Sequence, residues 1–251
     1  MVRISVAIIT QNEERNIREC LESVRWADEI VVVDNGSTDE THQIFQDFPA
    51  RVYLEEWKGF SGQKNSAIEK TRNEWVLSLD ADERVSPELR QEIELNLEGD
   101  PSTDGYYIAR KNFFLGRWIK HCGWYPDYNL RLFRKSRGRF GERAVHERVE
   151  LQGNVRYLKN PLIHQTYRSL SDFLGRMDRY STLAAQEMQN EGRRYRLFDA
   201  FFRPPFTFLQ MYVLRGGFLE GYLGFLLSML YAFYTLVKYS RLREFQEKEN
   251  L

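Results

Sequence analysis

Residues 75–83, WVLSLDADE, join an apolar run to three acids. The run predicts a buried strand, Trp75–Asp80, which leaves Asp80, Asp82 and Glu83 at its carboxyl end. Working back, Glu29–Asp34 (EIVVVD) repeats the arrangement, with Asp34 closing the run before Asn35-Gly36-Ser37-Thr38-Asp39. Ile4–Thr10 (ISVAIIT) predicts another strand and Arg51–Glu55 a shorter one. Between them Asn16–Val24 places Ile17, Cys20, Leu21 and Val24 on one helical face. Ser37–Glu40 predicts a capping box that opens a helix to about Phe48. Ser61–Thr71 and Ser86–Leu97 read as further helices, the last with Pro87 in its first turn. Strands alternating with helices imply βαβ crossovers and an α/β fold with a mainly parallel central sheet.

Past Gly105 the pattern changes. Strand-like pieces (Tyr106–Arg110, Asn129–Phe133, Leu162–Thr166) are separated by loops rich in Trp, Gly, Arg and His, and Leu170–Gln189 reads as a helix. The 251 residues carry 36 Lys/Arg and 36 Asp/Glu, yet unevenly. Residues 1–108 hold 11 basic and 23 acidic side chains, and residues 109–148 hold 11 basic and 3 acidic. The second stretch suits an anionic ligand, with Arg131 and Arg134 as candidates, or is solvated surface charge. No helix-turn-helix or zinc-finger pattern accompanies it, so nucleic acid is not expected. Two cysteines, Cys20 and Cys122, exclude a disulfide framework. The N-terminus predicts the first strand of a mature cytosolic protein, not a signal peptide.

The organisation expected is residues 1–195 as one α/β domain, split near residue 104 into a nucleotide-binding and an acceptor half, and residues 196–251 as a helical appendage. Phe218–Val237 is twenty residues with one charge, Glu220, followed by Lys238, Arg241 and Arg243. It could lie in a membrane interface, cover a core or a second subunit, or span a bilayer. Glu220, Gly221 and Gly224 weaken a span, and an interfacial helix is the expectation.

Ligands of open α/β sheets bind beyond the carboxyl ends of the strands. A carboxylate there accepts hydrogen bonds from a nucleobase imide or a ribose hydroxyl, and two carboxylates on one turn bind a hard divalent cation. Either motif alone is also ordinary turn chemistry.

Four motifs together resemble the family 2 glycosyltransferases: Ser5 to Glu14, Val33 to Asp39, Gly62-Gln63-Lys64-Asn65, and Leu79 to Glu83. The resemblance implies the GT-A nucleotide-sugar fold, an inverting transfer, a UDP-sugar donor and a divalent metal, Mn²⁺ or Mg²⁺. Trp26-Ala27-Asp28-Glu29, Trp57-Lys58-Gly59-Phe60, Gly123 to Asp127, Arg131 to Arg134 and Val145-His146-Glu147 are similar to a bacterial lipopolysaccharide-core branch that acts on inner-core heptose. By this resemblance Thr10, Gln11, Asn12, Glu13 and Asp34 hold the base, and Lys64 lies near base or diphosphate. Asp82 binds metal, and Asp80 contacts ribose or metal. His146 is a third metal ligand or a structural histidine; His164 and His121 are weaker candidates. Asp127 is the general base, with Glu142 and Glu147 in reserve.

The function implied is transfer of a hexose to an anionic cell-envelope glycolipid, on the cytoplasmic face of the membrane. Transfer to a polyprenyl phosphate and a catalytically inert sugar-binding scaffold are the alternatives. A sugar nucleotidyltransferase would need a glycine-rich basic loop where Thr10-Gln11-Asn12-Glu13 stands.

Overall fold

The computed structural model describes residues 2–99, 102–141 and 148–249. In chain order its main elements are β1 (Ile4–Thr10), α1 (Ile17–Ser23), β2 (Glu29–Asp34), α2 (Thr41–Ile44), β3 (Ala50–Leu54), α3 (Gly59–Glu69), β4 (Trp75–Asp80), β5 (Glu83–Arg84) and α4 (Pro87–Gly99). Then come β6 (Gly105–Phe114), β7 (Arg117–Trp118), β8 (Asp127–Arg134), β9 (Gly138–Phe140), β10 (Val149–Leu151), β11 (Val155–Tyr157) and β12 (Leu162–Tyr167). Helices α5 (Leu170–Asn190), α6 (Leu197–Leu209) and α7 (Tyr222–Glu249) close the chain.

The chain divides into two compact units, Met1–Lys111 with Asp127–Gln165, and Asn112–Pro126 with Thr166–Leu251. This border differs from the one expected from sequence: residues 112–126 and helix α5 belong with the C-terminal helices.

In the first unit the sheet order runs β3-β2-β1-β4-β8-β6-β12-β5. Strands β3, β2, β1 and β4 are mutually parallel. Strands β1, β2 and β4 are buried nearly end to end, which is why they read as unbroken apolar runs, whereas the edge strand β3 is half-exposed. Beyond β4 the sheet turns antiparallel at β8 and β6, so it is mixed rather than mainly parallel. No helix joins β6 to β8, and without a crossover antiparallel pairing is what remains. On one face Val6, Ile8, Val32 and Leu79 pack with Ile17 and Leu21 of α1 and Leu89 and Ile93 of α4. On the other, Ala7, Val33 and Val76 pack with Ala67 and Ile68 of α3.

The register fixes the site. Thr10 pairs with Asp34 across β1 and β2, and Ile9 with Asp80 across β1 and β4. The polar strand ends therefore share one edge of the sheet. The expected capping box does not form. Ser37 Oγ donates instead to Asp34 Oδ1 at 2.6 Å, and α2 starts only at Thr41. Asp34, 1% exposed at a strand end, captures the serine that would have capped the helix.

In the second unit Phe114, Ile119, Cys122 and Trp124 pack with Phe173 and Met177 of α5, Met211, and Leu227 of α7. The apolar stretch read as one segment is broken. Residues Gly217–Glu220 form a 3-10 turn, Gly221 has φ 60°, and α7 begins at Tyr222. Glu220 points inward. Its Oε1 accepts the backbone N–H groups of Lys120 and His121 and lies 2.7 Å from His121 Nδ1, while Arg117 Nη2 reaches Oε2 at 3.3 Å. Burial opposes its ionisation, but the hydrogen bond from His121 and those from the two backbone N–H groups outweigh it and hold the carboxyl below the usual range. Gly224 sits where a Cβ would fall 1.9 Å from the carbonyl oxygen of Gly217, so only glycine allows α7 to start against this turn. Helix α7 is long and apolar enough to cross a membrane, though 33% of its most apolar window is buried in the protein.

Candidate active site

At the carboxyl edge of the first unit, two loops are stitched together. Asn12, at φ 55°, donates its N–H to Ser37 Oγ at 2.9 Å and accepts the Thr38 N–H on Oδ1 at 2.8 Å. Glu13 donates its N–H to Thr41 Oγ1 and accepts from Asn16 Nδ2. Gln11 Nε2 reaches the Asn35 carbonyl at 3.2 Å. Thr10 is 6% exposed, and among the described residues its Oγ1 has no hydrogen-bond partner. A buried hydroxyl with unspent capacity at a strand end is unusual and suits a ligand group. The five residues expected to hold a nucleobase thus line one loop pair.

Beside them runs a ladder of alternating charge. Lys64 Nζ lies 2.8 Å from Asp80 Oδ1. Arg131 Nη2 reaches Asp80 Oδ2 and Glu83 Oε1, each at 2.6 Å. Arg110 Nη1 is 3.6 Å from Glu83 Oε1, and its Nη2 is 2.6 Å from Asp127 Oδ2. Lys64, Asp80, Arg131, Glu83, Arg110 and Asp127 therefore form one chain of ion pairs across β4, β8 and β6. Burial works against the Asp80 carboxylate, but Arg131 and Lys64 outweigh it and hold the carboxyl well below the usual range. Burial likewise opposes charge on Arg131, which Asp80 and Glu83 more than restore. Glu83 is fully buried and also accepts the Asp80 N–H at 3.0 Å.

Asp82 is 6% exposed, with Oδ1 3.4 Å from His164 Nε2 on β12. Among the described residues no three His, Cys, Asp or Glu side chains cluster as a cation site. The donor set of Asp82 and His164 nevertheless fits a divalent ion. One carboxylate oxygen and one imidazole nitrogen, with metal bonds of about 2.1 Å each, can meet across that gap. His146, Glu142 and Glu147 lie outside the described residues.

From the sequence, Glu83 has no role beyond its place in the acidic motif, Arg110 has none, His164 ranks low and Arg131 is an acceptor candidate. Arg131 is 4% exposed and shared by two carboxylates, so it does not offer its charge to a distant group. Arg134 stands 3.5 Å from Asp104 and over the Trp75 ring. The signal was present in the string. An arginine inside the run Leu130-Arg131-Leu132-Phe133 can be buried only if carboxylates meet it.

The family model for glycosyl transferase family 2 matches residues 5–151, the stretch that supplies all of this site except His164. The chain belongs to glycosyl transferase family 2. This family 2 chain is 34% identical over 250 residues to the lipopolysaccharide core biosynthesis glycosyltransferase LpsC of Rhizobium meliloti (strain 1021), covering 94% of this chain and 91% of that one. It is 30% identical to an uncharacterised glycosyltransferase of Rickettsia typhi, over 99% of this chain and 89% of the relative. Among solved structures it is similar to S. aureus TarS 1-349, with TM-score 0.51 and 18% identity over 98% of this chain and 92% of that one. That likeness shows the GT-A fold.

Proposed function

We propose that this family 2 enzyme transfers a hexose, glucose foremost, from a UDP-sugar to a cell-envelope glycolipid of the lipopolysaccharide inner-core type, with inversion. It would work on the cytoplasmic face of the membrane, where a lipid-linked acceptor is presented. The observation that carries this reading is the charge ladder. It links the strand end beside the nucleotide loops, at Asp80, to a carboxylate farther along the sheet, at Asp127. LpsC, similar over most of its length, is named for lipopolysaccharide core biosynthesis. TarS 1-349 has been solved in complex with UDP-GlcNAc, at TM-score 0.50 and 17% identity to this chain.

Inverting transfer is a single displacement at the anomeric carbon. Asp127, oriented by Arg110, takes the proton of the acceptor hydroxyl as the new bond forms. Thr10, Asp34 and the Gln11–Glu13 loop hold the base. Asp80, held by Arg131 from the sheet side, contacts the ribose or metal and keeps Lys64 in place near the base or diphosphate. Asp82 and His164, with His146 a further candidate, are the side chains that would hold a divalent cation. Bound there, such an ion would supply Lewis-acid charge to the departing diphosphate.

The test is the anomeric configuration of the product. With a UDP-α-hexose, a deacylated core oligosaccharide and Mn²⁺, NMR should show a β-linked product. An α-linked product, or UDP release with no acceptor modified, would overturn the reading.

A further inference from the structure

Helix α6 carries its amphipathicity reversed with respect to its own fold. Leu197, Phe198, Phe201, Phe202, Phe206 and Leu209 recur at helical spacing, yet each is 52–68% exposed. The opposite stripe is small or polar and faces α7. Ala200 and Pro204 are buried, Thr207 Oγ1 lies 3.3 Å from Thr235 Oγ1, and the Arg203 guanidinium sits over the Tyr239 ring. A helix of a soluble protein buries its apolar face. Here the aromatic face is the one turned away from the protein, so an apolar phase other than the unit's own core must be what receives it.

The charge beside this face says which phase. Arg193, Arg194 and Arg196 stand immediately before α6 and are exposed. With Arg203, Asp199 and Gly192 they line a hollow of about 440 Å³. Arg203 is paired with Asp199, but exposed Arg193, Arg194 and Arg196 before a stripe of phenylalanines form the pattern of an interfacial helix on an anionic surface: aromatic rings enter the acyl boundary while guanidinium groups meet phosphates. An apolar protein partner would account for the phenylalanines but not for the arginine-lined hollow.

We infer that α6 leads the membrane-docking face of this chain, while α7 also exposes Tyr222, Phe225 and Phe233, and that the occupant is a phospholipid bilayer rich in anionic headgroups. Helix α7 then serves as the platform. Tyr239 and Leu242 on its inner side are buried with Ala185, Met188 and Ala200, so it cannot span a bilayer without unpacking them. The inference deepens the membrane placement proposed above but does not depend on the transfer reaction. Docking is read by flotation and chemistry by a water-soluble acceptor, so failure of one is separable from failure of the other.

The full-length protein should float with vesicles of phosphatidylethanolamine and phosphatidylglycerol at low salt, and less at high salt or with phosphatidylcholine alone. Phe198→Ser with Phe202→Ser should cut the partition coefficient by about tenfold or more. Arg194→Gln with Arg196→Gln should cut it by about tenfold at low salt and little at high salt. Hydrogen exchange of the wild-type chain, which needs no variant to fold, should show residues 197–209 protected when anionic vesicles are added. Four results would each overturn the inference: no flotation of the wild-type protein, undiminished flotation of the Phe198/Phe202 variant, vesicle protection confined to 222–236, or a dimer that protects 197–209 without lipid. The last would make a second copy the occupant.

Discussion

Arg110 places both Nε, at 2.8 Å, and Nη2, at 2.6 Å, on Oδ2 of Asp127. Such a contact fixes the direction of the carboxylate and leaves Oδ1 turned toward Asn129, whose amide reaches it at 3.2 Å. If Asp127 is the base, Asp127→Asn keeps shape and packing but cannot take a proton. The kcat should fall by roughly 10²–10⁴ while donor affinity, read by calorimetry with UDP, stays near wild type. A variant retaining more than about a tenth of wild-type kcat would move the role elsewhere. At this scale the sequence was legible wherever a residue closed a strand. Thr10, Asp34 and Asp80 sit where apolar runs end, and the pleat leaves little choice about which edge they share. For Arg131 the apolar run around it signalled a buried charge but not its partners, and for the roles of Glu83 and Arg110 there was no signal. Their partners lie 17 to 51 residues away in sequence, and no local period announces a long-range ion pair. His164 lay low for the same reason, since its partner Asp82 lies far away in the turn between β4 and β5.

At the scale of elements, apolar composition located α7 but not its start. Phe218–Val237 reads as one helix because its residues are alike in hydropathy. Gly216 and Gly221, both at positive φ, make a break that hydropathy does not see. Glu220 within that break looked like a blemish on a membrane segment and is instead the anchor of the 115–123 loop. Glu220→Ala leaves two partly buried backbone N–H groups without their acceptor and removes the partner of Arg117 and His121. The expected loss is about 2–4 kcal/mol, seen as a lower urea midpoint. Glu220→Gln, which can still accept one bond, should recover part of it. An unchanged midpoint in the alanine variant would mean that the turn is held by packing alone. The missing capping box teaches the same lesson in reverse. Ser37-Thr38-Asp39-Glu40 fits a helix start locally, but a buried Asp34 is a better acceptor for Ser37 than the helix would have offered.

At the scale of the molecule, zero net charge concealed an acidic first hundred residues and a basic stretch after them. The structure turns part of that basic stretch inward, where Arg110 and Arg131 neutralise Asp80, Glu83 and Asp127. The division into units was the least legible feature, because residues 112–126 join helices that lie more than forty residues further along the chain. This placement bears on how the C-terminal helices can be studied. A truncation after Arg203 looks, from sequence, like removal of an appendage. In the structure it cuts α6 in half, and it takes away Met211, Glu220 and Leu227, the partners of Ile119, Cys122, Trp124 and His121. Several large side chains would then face water, and at about 25 cal/mol per Å² of apolar surface the second unit cannot remain folded on what is left. The truncated chain should be insoluble or bind a hydrophobic dye strongly, and near-ultraviolet circular dichroism should lose the signal of Trp118 and Trp124. If it instead stays soluble and keeps that signal, residues 112–126 fold without the C-terminal helices and the second unit is not one cooperative body.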